Sequence, residues 1–348
     1  MKRVLALLLS TVLCLGVLSG CGGKTNMGLG VVDDNADDKN ALQVSGSYDA
    51  GGVKVIDYFG DETVLTELPE RVAIVSGTPL NIWYDLGGKS VCTSNIADGN
   101  IKLVKEYADE MLALPVVGAV YALDMEAVVA QSPDLIITQA GVQTDATATL
   151  RDMGYPVISV LPRSFEEVVT LYQVFGTILD KKDLAQQKVD AMQSKIDSYV
   201  EKAPKDGKSV AMLYLTASSL SVKLDNSIAG QVAKRLHIHN IASNLPPDSI
   251  GSESTPLDIE YIVQQDPDMI LVTSMIGSNE LAVETMEKHF ADNQAWQTVT
   301  AVAEGKVYYL PQDYFLYNAG PYYDEGVRYM ACTVYPEIYG EVSEWYGK

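Results

Sequence analysis

The chain has 348 residues and a formal net charge of −21, from 46 acidic and 25 basic side chains. This length exceeds what one small hydrophobic core normally supports, so we expect two domains. So acidic a surface repels nucleic acids, which argues against DNA or RNA binding, and it weakly disfavours strongly anionic ligands.

The amino terminus has the pattern of a secretory signal that ends at Cys21. Lys2 and Arg3 precede an apolar run of roughly 15 residues, which is short for a membrane span. Leu18-Ser19-Gly20-Cys21 resembles the lipobox of bacterial lipoproteins. The resemblance implies a signal peptide over residues 1–20, cleavage before Cys21 and lipid (diacylglycerol and palmitate) on this cysteine. An ordinary signal followed by a chance cysteine is the alternative.

A tether and then a first α/β lobe are predicted to follow. Residues 21–47 are rich in Gly, Asp and Asn, a composition typical of a flexible tether. Residues 48–163 begin with a predicted hairpin and continue with short apolar runs that alternate with helical segments, a pattern typical of buried parallel strands. The predicted elements are a hairpin at 48–65, strands at 72–75, 90–93, 134–138 and 157–160, and helices at 76–86, 124–131 and 146–153.

Two consecutive helices are predicted over residues 164–204. Ser164 and Glu167 have the spacing of a capping box, which begins a helix that ends near Leu179. In the second helix, apolar residues recur at one face, as expected for a helix packed on a core. They are Ala185, Val189, Met192, Ile196 and Tyr199. We expect this long helix to join two lobes.

The alternation of strands and helices resumes after residue 205 and predicts a C-terminal α/β lobe over residues 205–348. Predicted strands lie at 210–214, 268–273 and 306–310, and predicted helices at 228–236, 258–265, 281–290 and 323–334. Residues 125–138 match residues 259–273 in order and type, and both carry Pro-Asp before a strand. The distance along the chain between the two matching segments is far too long for a solenoid repeat, so the match indicates two related lobes.

The cysteines and histidines indicate no metal site. Cys92 and Cys332 remain after signal cleavage, and an exported pair could form a disulfide. Each lies beside an apolar segment, so two separate buried thiols are the preferred prediction. The three histidines form no cluster with metal-ligand spacing.

Several short segments agree, in order, with one known family. They are Pro69–Val72, Ser76–Pro79, Glu126 with Pro133–Ile137, Leu150–Val157, the helix at 183–201, Ala301–Tyr308 and Tyr335–Glu337. With these segments the chain resembles the helical-backbone (class III) substrate-binding proteins of ABC importers for ferric siderophores, haem and cobalamin. The resemblance implies an α/β fold with two Rossmann-like lobes, joined by one long α-helix, and a ligand cleft between them. It also implies docking of the loaded protein on a permease dimer.

Candidate ligand-binding residues lie mainly in the loops after the predicted strands, where open α/β lobes bind ligands. Tyrosine offers a broad face with a polar tip, and arginine pairs with anionic oxygens. For Arg163, a surface salt bridge to Glu166 or Glu167 is the alternative, and Trp83 fits a core position as well as the cleft. The predicted set is Thr78, Trp83, Asn95, Tyr121, Gln139, Arg163, Ser218, Met275, Tyr314 and Tyr317.

Two carboxylates are candidates for contact with the permease. Members of the family that the chain resembles use one carboxylate on each lobe for this contact. The matching loops offer Asp145 and Glu280, although Thr144 occupies the clearest match in the first lobe. Ordinary solvated charge is the alternative for both.

The sequence therefore predicts an extracytoplasmic substrate-binding lipoprotein of an ABC importer that captures an iron chelate, a ferric siderophore. We expect a monomer that is anchored by lipid to the outer face of the cell membrane, carries no cofactor and is no enzyme, because no nucleophile elbow or acid–base pair is found. A single cation at the cleft favours a neutral or cationic chelate, or a corrinoid. The alternatives are a cobalamin or haem receptor, a receptor for bare metal ions, and a surface protein without a transport role.

Overall fold

A computed structural model describes residues 41–96, 102–249, 251–276, 279–316 and 320–342. The predicted signal peptide, Cys21 and the tether up to residue 40 lie outside the described residues. All of the described residues belong to one structural unit. Within it, none of the described helices has both the length and the apolar character needed to cross a membrane.

The strands belong to two lobes that follow each other in the chain. In chain order they are β1 (Gln43–Ser47), β2 (Gly52–Ile56), β3 (Glu62–Leu65), β4 (Val72–Ile74), β5 (Gly118–Ala119), β6 (Ala122–Leu123), β7 (Leu135–Gln139), β8 (Val157–Val160), β9 (Ser209–Leu215), β10 (Leu220–Lys223), β11 (His239–Asn240), β12 (Ser254–Pro256), β13 (Met269–Ser274) and β14 (Val307–Tyr309).

The helices alternate with these strands and cover the sheets. In chain order they are α1 (Gly77–Asp85), α2 (Ala108–Leu112), α3 (Met125–Ala130), α4 (Thr144–Asp152), α5 (Phe165–Ile178), α6 (Lys182–Val200), α7 (Ile228–Arg235), α8 (Ile259–Gln265), α9 (Asn279–Asp292), α10 (Thr300–Ala303), α11 (Gln312–Phe315), α12 (Tyr323–Val334) and α13 (Pro336–Tyr339).

The first lobe combines a parallel sheet, in the order β4-β7-β8, with an antiparallel sheet, in the order β1-β2-β3. Strand β1 begins at Gln43, inside the range predicted as tether, because it pairs with β2, whose Val53 and Val55 are fully buried. The strand predicted at 90–93 is not formed. There the Ser90 hydroxyl bonds the backbone of β4, accepting from Ile74 N–H and donating to the carbonyl of Val72.

The second lobe contains one mixed sheet in the order β12-β10-β9-β13-β14, with β11 also paired to β9. Strands β9, β13 and β14 are parallel, while β10 and β12 run antiparallel to their neighbours. The two related lobes predicted from the sequence are therefore present, although β10 to β12 were not anticipated.

The repeated Pro-Asp dipeptide has a structural role in each lobe. The Asp134 carboxylate accepts a hydrogen bond from the backbone N–H of Arg71, at the start of β4. The Asp268 carboxylate accepts one from the backbone N–H of Ser209, at the start of β9. Each aspartate therefore links the amino ends of two neighbouring parallel strands. It supplies an acceptor to a backbone N–H group that would otherwise lack a hydrogen-bond partner at the start of the strand.

Helices α5 and α6 link the lobes. The capping box at the start of α5 is formed by Ser164 and Glu167, as predicted. Helix α6 has 19 residues, a length of roughly 28 Å. Its buried face consists of Ala185, Val189, Met192 and Ile196, four of the five predicted residues, and it packs on α5 and α12. The fifth, Tyr199, is half-buried against the same core.

The two cysteines within the described residues are free and buried, which confirms the preferred prediction. Cys92 lies in the first lobe and Cys332 in α12. Burial raises the pKa of Cys92 to about 11 and also raises the pKa of Cys332. Both thiols are consequently protonated and unreactive at neutral pH.

Candidate functional site

A cavity of about 580 Å³ lies between the two lobes. The first lobe lines it with loops that follow β4, β7 and β8, and the second lobe with residues that include Lys223, Glu253 and Met275. Several of these groups lie at or just beyond the carboxyl ends of strands, where ligands meet open α/β sheets. The volume is within the usual range of small-molecule sites, about 300–1,000 Å³.

A buried glutamine organises the first-lobe side of the cavity. The Gln143 amide accepts a hydrogen bond from the backbone N–H of Gln139 at 2.8 Å. Its NH₂ group donates to the carbonyls of Val75 at 2.7 Å and Val120 at 2.9 Å. Gln143 therefore fixes the ends of β4 and β7 against the turn that carries Tyr121.

Tyr121 is the most exposed large hydrophobic side chain on this side of the cavity, at 71 %. It lies in the tight turn between β5 and β6, and the carbonyl of Gly118 accepts from the Asn95 N–H at 2.8 Å. Gly118 has φ +105°, and a Cβ there would lie 2.5 Å from the carbonyl oxygen of Ala122. Position 118 consequently requires glycine, and the turn presents a largely exposed tyrosine ring.

Three charged side chains meet inside the cavity. Nε of Arg163, after β8, lies 2.7 Å from Oε1 of Glu253 in the second lobe. Nζ of Lys223, at the end of β10, lies 3.5 Å from Oε2 of the same glutamate. Lys223 also lies 4.2 Å from the ring centroid of Tyr214. We refer to Arg163, Glu253 and Lys223 as the cleft triad.

Burial affects the lysine of the cleft triad most. The side chain of Lys223 is only 10 % exposed, against 20 % for Arg163 and 27 % for Glu253. Desolvation lowers the pKa of Lys223, and the neighbouring Glu253 carboxylate partly opposes this shift. The Glu253 carboxylate, with a smaller contribution from Asp248, therefore favours the charged form of this lysine.

Six of the predicted ligand-binding residues line the cavity. They are Thr78, Asn95, Tyr121, Gln139, Arg163 and Met275. Arg163 does not form the surface salt bridge considered from the sequence, because its guanidinium faces Glu253 across the cavity. Tyr317 lies outside the described residues.

Three other predicted residues lie away from this lining. Trp83 is buried in the first-lobe core, where its indole N–H donates to the carbonyl of Lys89 at 3.0 Å. Tyr314 is 4 % exposed and its hydroxyl bonds the ammonium group of Lys102. Ser218 lies in the exposed turn that follows β9. The two aromatic residues lie inside because their rings pack on other rings, those of Phe175, Phe315 and Tyr329.

Sequence reasoning missed Lys223, Tyr214 and Gln143, and it did not single out Glu253 within its loop. The alternation of Leu220, Ser221 and Val222 is short but typical of a half-buried strand. That signal places Lys223 at a strand end, and therefore near the cavity. For Gln143 the sequence offers no comparable signal, because its role depends on three carbonyl and amide groups from separate segments.

The two candidate docking carboxylates occupy equivalent places in the lobes. Asp145 lies in the first turn of α4, which follows β7, and Glu280 in the first turn of α9, which follows β13. Both are exposed. No group of three or more His, Cys, Asp or Glu side chains in the described part of the chain is arranged to hold a metal ion.

Comparison with known proteins agrees with this architecture. The family model described as "Periplasmic binding protein" matches residues 72–314. Among curated protein sequences, none is similar enough to the chain to count as a relative.

Similar solved structures include an ABC transporter substrate-binding protein from Listeria monocytogenes EGD-e, with a TM-score of 0.65 and 20% identity over 77% of this chain and 99% of that chain. The catecholate-siderophore binding protein VctP of Vibrio cholerae has a TM-score of 0.63 and 17% identity over 81% and 99%. An ABC-type Fe3+-hydroxamate transport system from Saccharomonospora viridis DSM 43017 has a TM-score of 0.63 and 17% identity over 80% and 98%. At these identities the likeness establishes the fold.

Proposed function

The chain belongs to the periplasmic binding protein family, and from this premise we propose that it is the substrate-binding component of an ABC importer that captures an iron chelate outside the cell. The observation that carries the proposal is the cavity between the lobes. It is large enough for an organic molecule, and it combines exposed apolar groups, Tyr121 and Met275, with a few fixed polar ones. That combination is typical of small-molecule sites.

An iron chelate suits this lining better than a bare ion does. A chelate brings its own metal ligands and presents an organic surface, which Tyr121 contacts with its ring and Met275 with its thioether. Solved structures with the same fold include a catecholate-siderophore binding protein and an Fe3+-hydroxamate transport system. In this role the protein binds and releases its ligand without chemical change, so no catalysis is proposed.

Isothermal titration calorimetry on residues 22–348 tests the proposal. The panel consists of a ferric tris-hydroxamate, a ferric tris-catecholate, haemin and cobalamin, with the metal-free form of each siderophore. We expect one ferric chelate to bind with a Kd below about 1 µM, and its metal-free form to bind more weakly. If only haemin or cobalamin binds, that compound is the ligand and the ferric siderophore is not. If no member of the panel binds, the proposal is contradicted.

We further propose that the protein is anchored to the outer face of the membrane by lipid on Cys21. The support is the Leu18-Ser19-Gly20-Cys21 segment after a secretory signal. Labelling of cells with radioactive palmitate is expected to mark the wild-type protein. The Cys21→Ser variant should stay unlabelled and leave the membrane fraction, and equal labelling of both proteins would exclude this anchor.

Docking on the permease is proposed to use Asp145 and Glu280, which occupy matching first turns on the two lobes. Reversal of both charges, Asp145→Lys with Glu280→Lys, is expected to abolish cellular uptake while the Kd for the chelate stays within twofold. The reversal Glu304→Lys, on an exposed loop before β14, is the control and should leave uptake intact. Unchanged uptake in the double variant would assign docking to other residues.

A further inference from the structure

The cleft triad joins the two lobes through a single carboxylate. Arg163 comes from the first lobe, whereas Lys223 and Glu253 come from the second. Each oxygen of Glu253 faces a different cation, Oε1 the guanidinium and Oε2 the ammonium group. The two cations of the triad thus already have an anionic partner that belongs to the protein.

The Glu253 side chain can rotate away from Arg163 and Lys223 without a movement of the sheet. Its backbone carbonyl accepts a hydrogen bond from Leu224 N–H at 2.9 Å, which holds the main chain at the edge of β10. Its side chain is the most exposed of the triad, at 27 %. Lys223 is held more firmly, since it is the least exposed member and contacts the ring of Tyr214. Rotation of one glutamate side chain therefore removes the Glu253 carboxylate from both cations at once.

We propose that Glu253 is a specificity-determining residue, which occupies Arg163 and Lys223 in the empty cavity and is displaced by the anionic oxygens of the ligand. The inference rests on the proposed function and deepens it, because it assigns a class of substrate: a chelate that carries several negative charges. A neutral chelate carries no net negative charge with which to replace the Glu253 carboxylate as partner of these cations. A multiply charged anionic chelate compensates for the loss of the two Glu253 ion pairs, because it pairs with a cation on each lobe at once.

This inference differs from the expectation based on the sequence alone. The sequence alone indicates one cation at the cleft, Arg163, and therefore favours a neutral or cationic chelate, or a corrinoid. The structure adds Lys223, which lies in the same cavity. It also shows a protein carboxylate between the two cations, with which an anionic ligand competes.

Two ferric chelates of different charge provide the test. Three doubly deprotonated catecholates around Fe³⁺ leave a triply negative complex, whereas three hydroxamates leave a neutral one. Glu253→Gln removes the competing charge and keeps the size of the side chain. We expect it to tighten binding of the ferric tris-catecholate by about tenfold, equivalent to about 1.4 kcal/mol, while the Kd for the ferric tris-hydroxamate changes by less than twofold.

The control variant is Glu304→Gln. It removes one negative charge from an exposed ion pair with Lys306 at the opposite end of the second-lobe sheet. It should leave both Kd values unchanged, which separates a local effect from a change in net charge. Should Glu253→Gln fail to fold, Glu253→Asp keeps the charge on a shorter side chain, weakens both ion pairs, and is expected to tighten catecholate binding by a smaller factor.

The possible results separate the inference from the function. Selective tightening for the anionic chelate supports the inference. If a chelate binds, but its Kd is the same for the wild type, Glu253→Gln and Glu253→Asp, the inference is overturned and the importer proposal stays intact. Absence of binding by every protein to both chelates and to the remaining panel contradicts the proposed function, and the inference falls with it.

Discussion

Tyr121 is the residue for which the structure makes the clearest prediction about binding. Its ring is 71 % exposed and lines the cavity, so its removal takes nothing from the core. Tyr121→Ala is expected to weaken chelate binding by about tenfold, because an aromatic contact with the ligand is lost. The free energy of unfolding should change by less than about 0.5 kcal/mol.

The matched control is Phe59→Ala, which removes an exposed ring from the turn between β2 and β3. It should not change the Kd measured by calorimetry. Equal affinities for wild type and Tyr121→Ala would show that the ligand does not use this wall of the cavity.

Asp57 is predicted to be important for stability. Its carboxylate is fully buried and accepts from the backbone N–H groups of Phe59 at 2.9 Å and Ser159 at 2.8 Å, and it pairs with Arg151. Asp57→Asn leaves Arg151 with only the exposed carboxylate of Asp61 as an ionic partner, and it is expected to lower the free energy of unfolding by about 2–3 kcal/mol.

Glu62→Gln, which breaks the exposed pair with Lys54, serves as the comparison for Asp57. It should lower the free energy of unfolding by less than about 1 kcal/mol, because water already solvates both charges. Urea denaturation measures both variants. Equal effects of the two substitutions would mean that the buried pair adds no more than a surface one.

At the scale of elements, the contact between α5 and α6 depends on Gly176. A Cβ at this position would lie 2.6 Å from the Cβ of Ala185, at the point where the two helices meet. Alanine in a helix is favoured over glycine by about 1 kcal/mol. At this position the steric overlap between the new methyl group and Ala185 should outweigh the helix preference for alanine. Gly176→Ala is therefore expected to lower the free energy of unfolding by about 1–2 kcal/mol.

Gly326 in α12 provides the opposite case for the same substitution. The nearest atom to a Cβ there is the Tyr314 Cβ at 3.6 Å, an ordinary contact. Gly326→Ala should therefore be neutral or stabilising in a thermal unfolding experiment. Stabilisation by both alanines would show that α5 and α6 move apart freely.

The elements differ in how well the sequence predicts them. Strands β4, β7, β8, β9 and β13 are recognisable because parallel strands buried on both faces appear as continuous apolar runs. Strands β1, β10 and β12 are antiparallel; β10 and β12 are only partly buried, and β1 contains no buried residue. Their sequences lack a continuous run, and their pairing depends on partners that are distant in the chain.

The same distinction applies to the cavity. Thr78, Gln139 and Met275 could be predicted because they end a strand or follow one closely, and the topology of α/β lobes places such positions together. Asn95 also lines the cavity, although the strand predicted before it is not formed. Tyr314 and Trp83 were chosen for their aromatic rings, but residue type does not determine which face of a helix is covered. Their positions depend on the packing of several rings, which no local pattern encodes.

At the scale of the whole molecule, one apolar core connects the lobes. The largest core cluster runs from Ile74 in the first lobe through Phe165 and Ile196 of the linking helices to Met269 and Tyr329 in the second. Because this cluster is continuous from one lobe to the other, the two lobes are expected to unfold together.

The two buried thiols allow this cooperativity to be measured. Cys332→Ser leaves Cys92 as a reporter of the first lobe, and Cys92→Ser leaves Cys332 as a reporter of α12. In protein that lacks residues 1–21, both thiols should become reactive at the same urea concentration. Two separate midpoints would show that the lobes unfold independently.

The central claim is that an iron chelate binds in the cavity between the lobes. Crystals grown with the bound ferric chelate and measured at the iron absorption edge test it most directly. We predict one anomalous peak inside the cavity, with the ligand in contact with Tyr121 and Arg163. An iron peak on the outer surface, or a chelate bound with the cavity empty, would contradict the account.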